Sequence, residues 1–498
     1  MRPIRRSPRA PMAVALAAIA GVGCAHAPEL RCPAAGGPAW RQVESPHFVV
    51  QTDLPSKEAR ALAEEFERVH AVLQRVPFQN VPDTGQRIRV VSFGEDRHYE
   101  AFAPPGAGAY YLRSRAGFPT IVMPGLMSDF ARATIAHELT HHLLARTFVR
   151  QPPWFAEGIA TYMESIGATR PWWNKPALGG VPLDHAERLH GFTTGAGSVL
   201  VAKRLDAQQY SVAWLVVHYL LNAHGARFTE LQRRFARGDD PAVAWREVFP
   251  EWNPADAAGM ASLDRALREY IEVGRYAYRE VTLGAPPPTT ERTLGSAEVH
   301  AIWLDLPRQG SRGPGAPSGL FEAEVAEALA EDPSNVTALA ARAFLAPGEA
   351  AALGRRATEA HPTDPRAWLL LARSLPPGPE REPAYRKAIE VGPEEADALN
   401  SFAWHLVMSE REGEAIPLAV RAVRVAPWNF AMLDTLAAAL QGVGRCSEAL
   451  VVQRRASDLL PEGMPEQGRE PILERLQALE ASCGNAKGAA PVVKPAGG

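Results

Sequence analysis

The chain has 498 residues, of which 46% are hydrophobic and 22% are charged. These fractions are ordinary for a folded globular protein and exclude a wholly disordered chain. With 53 Lys and Arg against 56 Asp and Glu, the net charge is −3, and this balance gives no indication of nucleic-acid binding. Proline is unusually frequent, at 44 residues, which indicates many short elements and linkers.

The N-terminus has the composition of a processing signal. Four arginines precede an uncharged run over 11–23 that is rich in Ala, Val and Ile. This run is shorter than a typical transmembrane helix. Cys24 then follows Gly-Val-Gly, which resembles a bacterial lipobox with glycine in place of the usual aliphatic residue. We therefore expect a signal peptide over 1–24, lipidation of Cys24 and a tether over 25–40, with plain secretion or an uncleaved anchor as alternatives. The expected location is the bacterial cell envelope.

The next part of the chain, 41–281, contains first strand patterns and then mainly helical ones. Strands are predicted by short apolar, β-branched runs at 48–50, 88–91 and 120–123. Helices are predicted by apolar residues at helical spacing at 57–76, 129–147, 211–221 and 256–275. Strands gathered early with helices after them predict an α+β domain.

A histidine and glutamate motif lies in the helix predicted over 129–147. Residues four apart lie on one face of an α-helix, so the imidazoles of His137 and His141 can bind one zinc ion at about 2.0–2.1 Å. Glu138 lies beside them and can act as a general base toward water that the zinc makes more acidic. Glu157 follows 16 residues after His141 in a second helical start, from which its carboxylate can return to the metal.

Two segments together resemble a known family. HELTHH at 137–142, followed by PPWFAEGIATY at 152–162, is similar to the peptidase-MA-like gluzincins, which are zinc peptidases with a W-x-x-E-G-x-A segment after H-E-x-x-H. The resemblance covers about 45–280. It implies an α+β zincin-like metallopeptidase domain over 41–281.

The same resemblance implies roles for individual residues. Glu138 matches the catalytic base, and Thr120–Met123 matches a sheet-edge strand that can hold an extended peptide by backbone hydrogen bonds. The zinc ligands implied are His137, His141 and Glu157.

Neighbouring side chains have roles that the sequence leaves open. His142 points about 100° away from His141 around the helix, which favours a packing or supporting role over zinc ligation. Thr161 can orient a ligand imidazole or be an ordinary helix residue. Candidate donors to an oxyanion are Tyr162, His218 and Tyr219.

The C-terminal part carries a repeat. Residues 282–318 are rich in Pro and Gly, which predicts a linker or a degenerate first helix. Prolines then recur at Pro333, Pro362, Pro393, Pro427 and Pro461, the last three 34 residues apart. This period, with matching Ala and Leu positions, resembles the tetratricopeptide (TPR) repeat. We expect an all-α TPR solenoid over 319–481 that ends in a capping helix at 464–481 and binds a protein partner on its concave face, followed by a disordered tail over 482–498.

The four cysteines allow few conclusions. No Cys-x-x-Cys occurs, which excludes a cysteine zinc site of that kind. Cys446 and Cys483 can form a disulfide in an oxidising envelope or remain free thiols.

The function favoured by these motifs is a zinc-dependent metallopeptidase of the cell envelope that acts on a peptide or protein. It would be held at the membrane by a lipid, with TPR repeats that dock a substrate or partner. The first alternative is a lipid-anchored TPR scaffold whose zincin-like domain is inactive. A closed structural zinc site would need a fourth protein ligand, and none is evident besides His142, so the open catalytic arrangement is favoured. The second alternative is a zinc amidase or another hydrolase, because the same water chemistry serves non-protein substrates.

Overall fold

A computed structural model describes residues 30–75, 86–104, 107–113, 119–125, 129–167, 176–180, 185, 188–189, 193–274, 278–306, 318–460, 464 and 466–483. The predicted signal peptide with Cys24, most of the predicted tail and Pro461 lie outside these residues. In the described part, a mixed sheet with its helices is followed by a stack of helix pairs.

The strands form one large sheet and one short ribbon within the described residues. They are β1 (Arg41–Glu44), β2 (Phe48–Thr52), β3 (Ile88–Phe93), β4 (Tyr110–Arg113), β5 (Pro119–Pro124), β6 (Ala177–Leu178), β7 (Arg279–Glu280) and β8 (Thr290–Thr293). The large sheet has the order β4-β5-β3-β2-β1-β8, and β6 pairs with β7. β2, β3 and β5 are parallel, whereas β1, β4 and β8 pair antiparallel with their neighbours. The three predicted strands are therefore the central ones.

β5 lies inside the sheet, which corrects the expectation that Thr120–Met123 is an edge strand. One side of β5 is hydrogen-bonded to β3 and the other to β4. β4 has the sequence Tyr-Tyr-Leu-Arg, and aromatic residues favour strands because they pack well across a pleated surface. The edge strand at this end of the described sheet is therefore β4.

Segments expected to be a tether and a linker are packed where the structure describes them. Cys32 and Trp40 are buried, and the Trp40 ring packs edge-on against Trp303, 6.2 Å between centroids. Thr290–Thr293 forms β8 and pairs with β1. Burial of the large apolar surface of the two indoles explains why both segments are held against the sheet.

The helices of the first part cover the sheet and build the main core. They are α1 (Ser56–Arg75), α2 (Asp96–Glu100), α3 (Asp129–Thr147), α4 (Pro153–Glu164), α5 (Ala196–Val201), α6 (Ala207–Ala223), α7 (Gly225–Arg237), α8 (Pro241–Val248) and α9 (Ala257–Val273). α1, α3, α4 and α6 share one apolar core with β2, β3 and β5. α6 begins at a capping box in which Asp206 accepts from the backbone N–H groups of Gln208 and Gln209. Its interior is buried nearly all round, as its apolar sequence predicts.

The second part is TPR-like, because helices pair along the chain as hairpins. They are α10 (Ser296–Asp305), α11 (Ser318–Glu331), α12 (Val336–Leu345), α13 (Ala350–Ala360), α14 (Pro365–Ser374), α15 (Arg381–Val391), α16 (Ala396–Val407), α17 (Glu412–Val425), α18 (Phe430–Gly442), α19 (Cys446–Asp458) and α20 (Glu466–Cys483). α11, α13, α15 and α17 each end two residues before a proline of the predicted series. None of the helices in the described part is long and apolar enough to cross a membrane.

The C-terminal end of α3 packs against the helix pairs. Ala145 belongs to the same apolar cluster as α16–α19, and its carbonyl accepts a hydrogen bond of 2.9 Å from the buried Arg455 guanidinium. Arg150 forms an ion pair with Asp458, 2.5 Å from Nε to Oδ2. Trp428 packs against the ring of His142, 5.3 Å between centroids. The helix that carries the HExxH motif therefore contacts both parts of the molecule.

Candidate metal centre

α3 and α4 bring the three predicted zinc ligands together. His137 and His141 lie one turn apart on α3, with their Nε2 atoms 3.1 Å apart. Glu157 reaches them from the first half of α4, with Oε2 3.4 Å from Nε2 of His137 and 3.3 Å from Nε2 of His141. All three side chains are largely buried, with 13–22% of their surface exposed.

The spacing of these donor atoms fits a tetrahedral zinc ion. Ligand atoms about 2.0–2.1 Å from one zinc are about 3.3–3.4 Å apart in a tetrahedron. The three measured separations, 3.1, 3.4 and 3.3 Å, lie close to that value. Two imidazole nitrogens and one carboxylate oxygen are also a donor set that zinc prefers, and it leaves one position open. The residues present therefore fit the metal that the sequence implies.

A glycine lets α4 approach α6 closely and so positions Glu157. A Cβ atom at Gly158 would lie 2.6 Å from the carbonyl oxygen of Ala213 and 2.7 Å from a methyl group of Val217. Both neighbours lie on α6, one of them in its backbone, so any larger side chain would push the helices apart. α4 starts with Pro153 at its first position, where the missing N–H costs nothing. The Pro-Trp-Phe-Ala-Glu-Gly segment is thus a tightly packed helix start that fixes the position of Glu157.

A further carboxylate contacts the His137 ring at the nitrogen that does not face Glu157. Glu164 Oε1 lies 2.7 Å from Nδ1 of His137, the arrangement in which a carboxylate orients a metal-binding imidazole. Glu164 Oε2 lies 3.5 Å from Nε2 of His185, whose Nδ1 lies 2.8 Å from the Ser211 hydroxyl. Although Glu164 is buried, hydrogen bonds to His137 and His185 lower its pKa to about 2. Glu164 is not among the residues predicted from the sequence, but it lies two turns after Glu157 and shares its helix face.

The electrostatics of the centre favour a bound cation. Burial by itself lowers the pKa of His137, but hydrogen bonds to Glu157 and Glu164 outweigh it and hold this pKa well above its usual value. Against the effect of burial, His141 and His137 hold the pKa of Glu157 well below its usual range. Carboxylates that remain ionised around imidazole nitrogens concentrate negative charge at this point, and a metal cation would neutralise it.

Glu138 and Tyr210 also face the centre. Glu138 is 8% exposed, and burial raises the pKa of its carboxyl. A carboxylate with a raised pKa is suited to take up and return a proton near neutral pH. The Tyr210 hydroxyl, near the start of α6, interacts with Glu157 through a hydrogen bond, and burial followed by the charges of Glu157 and Glu138 raises its pKa. Tyr210 was not predicted, because only the tertiary contact between α6 and α4 places it here.

The other candidates from the sequence occupy different surroundings. His142 faces away from the ligands, with Nδ1 3.0 Å from the Tyr111 hydroxyl and Nε2 accepting from Arg146 at 3.1 Å. Burial and the Arg146 charge hold its pKa well below the usual value, so it is a neutral packed residue. Thr161 is buried, and its hydroxyl has no hydrogen-bond partner among the described residues.

The predicted oxyanion donors do not gather at the ligands. His218 is fully buried between Tyr270 and the carbonyl of Gly179, at 2.8 and 3.0 Å. Tyr219 contacts His224 at 3.2 Å. Tyr162 packs on the His218 ring, 5.6 Å between centroids, and burial raises its pKa.

Comparison with known proteins gives no family. No protein-family model and no curated protein matches the chain. Among solved structures, it is similar to "Crystal structure of MamA protein" at 16% identity over 39% of this chain and 98% of that chain, with a TM-score of 0.25. It is also similar to yeast Tom70 at 13% identity over 70% of this chain and 73% of that chain, with a TM-score of 0.29. At these scores the fold description rests on the sheet and helix pairs themselves.

Proposed function

We propose that this protein is a zinc-dependent metallopeptidase whose second part docks a protein. The observation that supports it best is the set of three donor atoms at tetrahedral spacing, with Glu138 beside them on the same helix. The fourth position is left open, as in catalytic zinc sites. The intact ligand set weighs against the alternative of an inactive scaffold.

The residues of this chain would divide the chemistry between them. Zinc, when bound, supplies Lewis-acid polarisation and makes water more acidic. Glu138 takes the proton from the attacking water and passes it to the leaving amine, which its raised pKa supports. Tyr210, which interacts with Glu157 from α6, would donate its hydroxyl hydrogen to the oxygen that becomes negative. Glu164 holds the His137 ring in place by the 2.7 Å contact to Nδ1.

The test is zinc analysis with turnover of an unstructured protein such as casein. We expect one zinc at this centre in both the wild type and Glu138→Gln. The wild type should turn over casein, and the rate of the variant should be at least about 100-fold lower, the usual contribution of a general base. Glu272→Gln, the same change at an exposed glutamate of α9, should retain full activity. Wild-type protein without zinc, or an equally active Glu138→Gln, would refute the mechanism.

We also propose that Cys24 anchors the protein to the cell envelope through a lipid, which the signal sequence supports. Fractionation of cells that express Cys24→Ser should then move the protein from membranes to the soluble fraction. Wild-type protein that is already soluble would favour plain secretion.

A further inference from the structure

A second group of His and Glu side chains with the donor atoms that a metal needs lies near the start of the sheet. His47 comes directly before β2, and Glu67 and His70 lie three residues apart on α1. Residues three apart occupy the same helix face, and this face of α1 packs on β2. One imidazole nitrogen or carboxylate oxygen from each residue lies within 4.8 Å of the other two. The turn at 45–47 therefore brings His47 next to Glu67 and His70.

The contacts within this group join a buried carboxylate to the His47 imidazole, which packs beside His70. Glu67 Oε2 lies 2.8 Å from Nδ1 of His47, and Glu67 Oε1 accepts the backbone N–H of His47 at 2.9 Å. The rings of His47 and His70 lie 4.4 Å apart between centroids.

Burial differs among the three residues in a way that suits a metal. Glu67 and His70 are 3% and 8% exposed, which places two ligands in a rigid, largely water-free wall. The His47 side chain is 31% exposed, so the group opens to solvent on one side. Buried carboxylates are costly unless a positive charge compensates them. A divalent cation at this point would take over the contact that the His47 ring now makes with Glu67 and keep a water molecule on the open side.

We propose that His47, Glu67 and His70 bind a second divalent cation of the zinc class. Two nitrogens and one carboxylate oxygen suit Zn²⁺, and nitrogen ligands disfavour Mg²⁺ and Ca²⁺. Binding needs the His47–Glu67 separation to widen from 2.8 Å, and donor atoms that now lie within 4.8 Å of one another to come to about 3.3 Å, the spacing around a tetrahedral zinc. The ion joins the first residues of β2 to α1. This site is separate from the centre on α3 and does not depend on its activity.

The experiment removes the α3 centre first. In a His137→Ala/His141→Ala background, we expect one Zn²⁺ or Co²⁺ per chain after dialysis, against two in the wild type. Adding Glu67→Gln, which keeps the side-chain volume, should reduce bound metal to none. Co²⁺ should give the intense visible absorption of a four-coordinate site in the background protein and lose it with Glu67→Gln. His47→Gln, at the most exposed ligand, should give the same loss without burying a new group.

A matched control variant and the measured metal content distinguish this second metal site from the centre on α3. His98→Gln changes another buried histidine outside both groups and should leave the metal content unchanged. A background protein that binds no metal, or that keeps its metal with both Glu67→Gln and His47→Gln, overturns the proposal. One metal in the wild type that survives His137→Ala/His141→Ala would support this site and contradict the centre on α3. Unchanged thermal unfolding of metal-free Glu67→Gln confirms that the variant is folded.

Discussion

At the scale of single residues, Glu164 is the clearest consequence of the tertiary structure. Its contact to Nδ1 of His137 leaves Nε2 of that ring to face Glu157 and His141. We expect Glu164→Gln to weaken zinc binding and casein turnover by roughly 10–100-fold, the usual effect of losing such a partner. The measurement is zinc competition with a coloured chelator, beside activity at saturating zinc. Unchanged affinity would show that His137 is oriented by backbone packing alone.

The proximity of His137, His141 and Glu157 could be predicted from the sequence because their spacing is local. His137 and His141 are one helical turn apart, and Glu157 follows in a segment with a recognisable helix start. Glu164 and Tyr210 could not be found in this way. Glu164 acquires its role from the distance to His137, and Tyr210 from the approach of α6 to α4 that Gly158 permits. Such contacts depend on tertiary packing, which the periodicity of a sequence does not reveal.

At the scale of elements, helices and buried strands were predicted well and sheet edges were not. α1 and the central strands β2, β3 and β5 carry strong apolar patterns and lie where expected. β1, β4 and β8 are short, and β8 has four exposed residues, so their identity as strands comes from pairing with a neighbour. That is why Thr120–Met123 was assigned to the wrong position in the sheet.

The helix pairs carry a surface suited to a protein ligand. A cavity of about 900 Å³ lies between the sheet and the helix pairs, lined by Arg89, Asp305, Phe344, Arg366, Arg373 and Glu395 among others. Phe344, at the end of α12, is 79% exposed and lines this cavity, so its side chain is accessible to a ligand there. This cavity is therefore a place at which the proposed docking of a protein can be tested.

Replacing Phe344 tests that surface. We expect Phe344→Ala to raise KM for a protein substrate by roughly 5–30-fold, the effect of losing about 1–2 kcal/mol of binding at a central aromatic contact. kcat for a short peptide should not change, because the metal centre is untouched. Phe321→Ala, at an aromatic residue of α11 that is 37% exposed and does not line the cavity, is the control. Equal KM values for the two variants would place docking elsewhere.

At the scale of the whole molecule, α19 connects the end of the helix stack to the helix of the metal centre. α19 begins at Cys446, which forms a disulfide with Cys483 at the end of α20, 5.7 Å between Cα atoms. The last turns of α19 carry Arg455 and Asp458, which contact α3 and the residues after it. The disulfide therefore closes the exposed end of the stack on the same helix that supports α3.

Removing that disulfide tests whether the two parts are stabilised together. For cysteines 37 residues apart, the loop-entropy model gives about 4 kcal/mol of stabilisation as an upper value. We expect Cys446→Ser/Cys483→Ser to lower the free energy of unfolding by about 2–4 kcal/mol and to loosen zinc at the α3 centre, because α19 loses its constraint. In a denaturant titration in which unfolding and zinc release are both measured, the two changes should occur in one transition. The control is Cys32→Ser, at a buried free cysteine, which should not weaken zinc binding. Unfolding of the helix stack while zinc stays bound would show instead that the contacts of α19 with α3 are too weak to couple the two parts.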